Sequence, residues 1–241
     1  MIRAIGAELL KLRTIRTFWG MSVAAVGLVL LLVILTLALD DQIGTETDVR
    51  SLLSTAGLSG LMTLVLGGVV GAGEYRHGTI AWTLLVTPNR LRAVMAQVLA
   101  CTVAGLAVGV LTFVIAAAIA IPWVSAKDVP LPPVGDLLEV VAGVAAYAGL
   151  AAGLGAGLGS LLRNQVAAVV IVLVMLFVVD PTVAALSEDL APFTLTGLGI
   201  AISGGDDPTD LLRPVVAGVV WALYALLFAT LAAIRTARRD I

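Results

Sequence analysis

The sequence predicts an all-α fold: a polytopic membrane protein with six transmembrane helices, an N-terminal amphipathic surface helix and a short cytoplasmic helix between spans two and three. Three observations predict it. Of 241 residues, 60% are apolar and only 12% are charged, about half the charged fraction of a soluble domain, and the mean hydropathy is +1.10. The apolar residues gather into six continuous runs, without the alternation that a lipid-facing strand needs. The charges between the runs are sorted by sign.

The elements follow in order within a single transmembrane domain, 1–241. In residues 1–17, Ile2, Ile5, Leu9 and Leu12 recur at spacings of three and four, with Lys11, Arg13 and Arg16 on or beside the other face. That pattern predicts an amphipathic helix on the membrane surface. Spans are predicted at about 18–39, 52–73, 93–121, 137–162, 166–180 and 213–234, since roughly 20 apolar residues in helix cross a bilayer. The run Phe18–Leu39 is too long for a signal h-region of roughly 7–15 residues, so a retained span is expected. The fifth run is short and meets Asp180-Pro181.

Residues 74–92 form a loop that is polar, then semi-apolar, then polar. Thr87 before Pro88 predicts a helix start, a capping hydroxyl followed by Pro at the first helical position. The stretch 76–86 is then a short helix of its own, too apolar for a solvated loop, and it requires a partner surface. Arg163-Asn164-Gln165 predicts a tight helical hairpin. The moderately apolar outer segment 181–212 fits either a re-entrant or interfacial helix pair or an ordinary loop.

Eleven of the fourteen basic residues lie on the side that holds both termini, including Arg3, Lys11, Arg13, Arg16, Arg76, Arg90, Arg92 and Arg163. The Lys/Arg excess marks the cytoplasmic side, so both termini are expected there. Thirteen of the sixteen acids take the other side. The net charge of −2 conceals this segregation, and no nucleic-acid partner is expected.

Small residues cluster inside the spans. Gly149, Gly153 and Gly157 are spaced by four, as are Gly155 and Gly159, and Gly105 and Gly109, while Gly67, Gly68, Gly71 and Gly73 close span two. Such spacing lets helix backbones approach closely, either within the chain or across a dimer or sliding surface.

Several chemistries are disfavoured. Thr36, Thr63, Thr102, Thr112 and Ser160 stand out as the polar side chains inside the predicted spans, and Glu139, Asp180 and Arg213 fall near span ends. An ion-driven carrier would place an acid or base at mid-span. No Gly-x-x-x-x-Gly-Lys-Ser/Thr phosphate loop occurs. One cysteine, Cys101, and one histidine, His77, leave little for a metal cluster. Gly57-Leu58-Ser59-Gly60 matches the short pattern of rhomboid-type intramembrane proteases. However, a serine nucleophile needs a base within hydrogen-bond reach, and His77 lies on the other side of the membrane, roughly 25 Å along the helix. A packing patch explains the motif better, and no catalytic residue is expected.

Four features resemble the permease subunits of ABC-2 type transporters, the bacterial drug, antibiotic and bacteriocin-resistance exporters. They are Glu8-Leu9-Leu10-Lys11-Leu12-Arg13-Thr14 before span one; Glu74-Tyr75-Arg76-His77-Gly78-Thr79-Ile80 followed by Thr87-Pro88-Asn89-Arg90; the tight Leu162-Arg163-Asn164 turn; and the long semi-apolar segment before the last span. The second is the most specific. The resemblance implies that the loop holds a coupling helix, with Glu74, Tyr75, Arg76, His77, Gly78, Thr79, Ile80 and Trp82 at the contact with a separate ABC ATPase subunit. It implies ATP and Mg on that partner and no cofactor on this chain, a second permease copy or paralogue, and the bacterial plasma membrane. Glu8, Lys11 and Arg13 belong to the interface helix, and Glu74 is expected to pair with Lys11 or Arg13. No outer loop is long enough for a folded extracellular domain, which argues against the lipoprotein-release and macrolide-export class. The almost uniform Ala/Val/Leu/Gly spans favour hydrophobic or amphipathic cargo. The alternative is a non-transporting membrane anchor or sensor.

Overall fold

The computed structural model describes residues 2–39, 43–76, 89–205 and 211–238, with side chains to residue 235. Among these there is no strand. Six helical stretches are long and apolar enough to cross a membrane: Arg16–Leu39, Glu46–Arg76, Arg90–Ser125, Val134–Leu162, Gln165–Leu186 and Pro214–Arg235. The protein is an all-α, multi-pass membrane protein. The end of the bundle holding Arg76, Arg90 and Arg163 is called the basic end below, and the opposite end the acidic end.

The chain begins with α1 (Ile2–Thr14) and α2 (Arg16–Leu39). The second span is longer than the hydropathy run at 52–73. It starts at α3 (Glu46–Ser54), passes through a 3-10 turn (Thr55–Leu58) and continues as α4 (Ser59–Arg76). Thr45 and Asp48 cap α3 reciprocally, so a polar first turn is added ahead of the apolar run. Helix α5 (Arg90–Ser125) begins two residues later than Thr87-Pro88 predicts. Its N-cap is Asn89, whose side chain accepts from the Arg92 N–H at 3.0 Å, and Asn caps at least as well as Thr. Helix α6 (Val134–Leu162) follows. The predicted hairpin is present. Arg163 takes the left-handed conformation at φ 57° and returns its N–H to Gly159, and Asn164 caps α7 (Gln165–Val174).

The fifth span extends beyond 180. A π turn (Met175–Val179) joins α7 to α8 (Asp180–Leu186). Pro181 has no N–H to offer the preceding turn, and the wider turn carries the helix across that gap. The outer segment is helical as well: a 3-10 turn (Ala191–Phe193), then α9 (Leu195–Ser203), whose Gly197, Leu198, Gly199, Ala201, Ile202 and Ser203 are all buried. An ordinary loop is thus excluded over 195–203, which is a buried helix. Helix α10 (Pro214–Arg238) closes the bundle.

Helix α6 is the axis. Helices α4 and α10 run parallel to it and α5 antiparallel. The glycines set these distances. A Cβ on Gly67 or Gly71 would strike the carbonyl oxygens of Ala152 and Ala156, and one on Gly155 or Gly159 would strike those of Leu64 and Gly68. Two small-residue stripes therefore interlock backbone to backbone. Gly105 and Gly109 do the same for α5 against Ala148 and Ala145 of α6. The glycine motifs serve packing within the chain. In lipid, where no hydrophobic force drives helices together, this close dispersion contact holds the bundle. Gly57, Gly60 and Gly199 surround the ring of Tyr147, which meets Trp221 of α10 edge to face at 5.2 Å. The Gly-x-Ser-Gly patch is thus a seat for an aromatic ring, and the buried Ser59 hydroxyl has no hydrogen-bond partner among the described residues.

The one amide side chain inside the predicted spans escaped the sequence reading. Gln97 of α5 is buried; its Oε1 accepts from the Ser160 hydroxyl at 2.9 Å, and its Nε2 reaches the Val70 carbonyl at 3.5 Å. This network ties α4, α5 and α6 together. Ser160→Ala should lower thermal stability by about 1 kcal/mol, the scale of interhelical hydrogen bonds in membranes, as read by detergent-phase unfolding followed on a size-exclusion column.

Candidate functional site

The polar chemistry of the basic end converges on the last turn of α4. Three consecutive residues there fasten it to three different partners. Glu74 Oε1 accepts from Lys11 Nζ of α1 at 2.6 Å. The Tyr75 ring lies under the Arg163 guanidinium, 4.8 Å from its centroid, a cation–π contact with the α6–α7 turn. Arg76 Nη1 donates to Gln165 Oε1 of α7 at 2.8 Å. Nearby, Arg235 of α10 donates to the Leu161 carbonyl, satisfying one of the free carbonyls at the end of α6. Helical periodicity aims consecutive side chains about 100° apart, so a helix end inside a bundle can be held from three sides at once.

Helix α1 reaches this point because its apolar face packs on protein. Leu12 is buried, and Ile5 and Leu9 are partly buried, against Val94, Val98 and Cys101 of α5. The predicted face is shifted in one respect: Ile2 is 87% exposed. Glu8 occupies the buried strip instead and shares Lys11, whose Nζ stands 2.6 Å from both Glu8 and Glu74. Spacing of three residues on one helix brings Glu8 and Lys11 together. Lys11 rather than Arg13 is the partner of Glu74; the Arg13 side chain is exposed.

Glu8 and Lys11 titrate away from their ordinary values in this cluster. Burial pushes the Glu8 carboxyl up, against the hydrogen bond from Lys11, and the net direction is upward from 4.5. Burial pushes Lys11 down, but its hydrogen bonds to Glu74 and Glu8 outweigh this and raise it above 10.5. The sign for stability follows. The Lys11 contribution is fully present below pH 10.5 and is lost as pH rises through the raised value. The Glu8 contribution is largest below pH 4.5 and declines as pH rises through its raised value. Attachment of α1 should therefore persist at neutral pH and loosen in strong alkali, whereas Lys11→Met should be looser already at neutral pH and lack that alkaline step, as followed by protease access to residues 1–17.

Glu8, Lys11, Glu74, Tyr75 and Arg76 are brought together. His77, Gly78, Thr79, Ile80 and Trp82, and with them the short helix predicted to run on from Arg76, lie outside the described residues. Arg163 and Gln165 belong to the cluster although the sequence marked them only as a turn. The available signal was topological: the ends of spans two and four meet on the same side. Neither a scan against protein-family models nor a search of curated proteins finds a match to this chain.

Proposed function

We propose that the chain is the permease subunit of an ATP-binding cassette exporter in a bacterial plasma membrane, driven by a separate ATPase subunit that docks on 74–92. The observation that carries this function is the triple grip on Glu74, Tyr75 and Arg76 immediately before residue 77. A segment that receives force from a partner needs a rigid root, and this root is tied to α1, to the α6–α7 turn and to α7. A displacement applied to it moves the bundle as a body rather than bending a loop.

The resemblance of Glu74-Tyr75-Arg76-His77-Gly78-Thr79-Ile80 to a coupling loop supports the same function. The Lys/Arg excess at the basic end supports cytoplasmic termini. The span Gln165–Leu186 is the least covered of the six, which suits a second permease copy against it. ATP and Mg belong on the partner, and the cargo is hydrophobic or amphipathic.

The test is reconstitution. In proteoliposomes containing the chain and its ATPase, ATP hydrolysis should rise above that of the ATPase alone. An alanine block over 79–85 should remove that stimulation while the chain stays folded. Stimulation that survives the block sinks the coupling role of this loop. A folded chain that never stimulates any ATPase favours the anchor or sensor class.

A further inference from the structure

Asp180 is the one carboxylate among the described residues that is both buried, at 6% exposure, and inside a span without an ion-pair partner. One of its oxygens is committed: Oδ2 accepts from the Thr196 N–H at 2.7 Å and from the Thr196 hydroxyl at 2.8 Å. This clamps the start of α9 to the top of the π turn. No hydrogen bond engages Oδ1 among the described residues, and the residue lines a cavity of about 360 Å³.

The cavity walls are apolar: Leu176, Phe177, Pro181, Ala184 and Ile200. Its two hydroxyls are already used. Thr196 donates to Asp180, and Thr194 donates to Ala191 and accepts from Gly197. A divalent metal wants six or so oxygen ligands and would find a single carboxylate here. A single carboxyl group with one oxygen open beside apolar walls is complementary to a monovalent organic cation carrying an apolar body. Intramembrane acids left without a partner mark ligand or substrate paths, and π turns recur at such places.

We propose that Asp180 and this cavity bind an amphipathic cation, with a primary ammonium on Asp180 Oδ1 and the apolar body against Leu176, Phe177 and Ile200. That this ligand is cargo rests on the permease function; the site itself does not.

The probe is dodecylamine carrying a diazirine in its chain, photolysed with the purified full-length protein in phosphatidylcholine nanodiscs. Labelled peptides are mapped by mass spectrometry. Labelling is expected to concentrate on 176–200, to be suppressed by excess dodecylamine, and to survive the same concentration of dodecanol. Asp180→Asn keeps an acceptor for Thr196 and should weaken binding about ten- to a hundredfold. Ala184→Phe fills the cavity from its exposed wall and should abolish labelling with Asp180 intact, which covers the case of a misfolded Asp180→Asn. Even labelling of all lipid-facing helices, equal suppression by dodecanol, or unchanged affinity in a folded Asp180→Asn overturns the site. Specific labelling of a chain that never engages an ATPase keeps the site and removes its role as a cargo path. ATP-driven export without specific labelling keeps the permease and removes the site.

Discussion

Glu74→Lys should release the N-terminal helix from the bundle, and Lys11→Glu in the same chain should restore it. In the single variant, the new ammonium at position 74 faces that of Lys11 across the 2.6 Å contact. Glu8 alone is then left to neutralise both. The cost should be about 2 kcal/mol, between the values for exposed and for buried pairs, because Glu74 is nearly covered while Lys11 is half exposed. In the double variant, Glu8 and the new carboxylate at position 11 share the ammonium at position 74, and the triad has the same charges with one pair exchanged. Two readouts follow the swap: protease access to residues 1–17, and the amount of ATPase retained on the purified chain. Both should fall with Glu74→Lys and recover with the pair. Recovery of the first without the second would mean that the triad secures α1 but plays no part in coupling.

Gly155→Leu should be the most damaging substitution to the fold. A Cβ there falls on the Leu64 carbonyl and 2.8 Å from the Gly68 amide. Both are backbone atoms of α4, so no side chain can turn aside. The axial helix and α4 must separate along their whole interlocked stripe, and Gly67, Gly71 and Gly159 lose their contacts with it. The loss should exceed the roughly 1–3 kcal/mol of ordinary overpacking, and the chain should fail to elute as a monodisperse species in mild detergent. Gly27 is the control. A Cβ there meets nothing within 4 Å, and Gly27→Ala should leave stability unchanged or raise it by up to about 1 kcal/mol.

Hydropathy made the spans legible because lipid demands uniform apolarity, and charge sorting made the two ends legible. Boundaries moved where a local cap outweighed the run: Thr45 with Asp48 extended span two outward, and Asn89 displaced Thr87 as the cap of α5. The fifth helix continued past Asp180-Pro181 because a π turn absorbs the missing donor, a device with no sequence mark of its own. Glu8, Lys11 and Glu74 were each visible as charges near a membrane. That Lys11 rather than Arg13 meets Glu74 depends on how α1 lies across α5. Arg163 and Gln165 could not be paired with Tyr75 and Arg76 from sequence. These partners are nearly 90 residues apart, and only the parallel packing of α4 and α6 joins them. Gln97 was hidden by its apolar neighbours, and the burial of Asp180 by its position near a span end.

The most direct test of the central claim is a stoichiometry. The tagged chain is expressed with its neighbouring genes, solubilised gently and purified, and its co-eluting proteins are quantified. A permease should bring down an ATPase bearing a phosphate-binding loop in roughly equal amount, and substitutions across 74–85 should release it. A chain that purifies folded and alone, with no ATPase at any detergent strength, would contradict the transporter assignment and place the protein among membrane anchors or sensors.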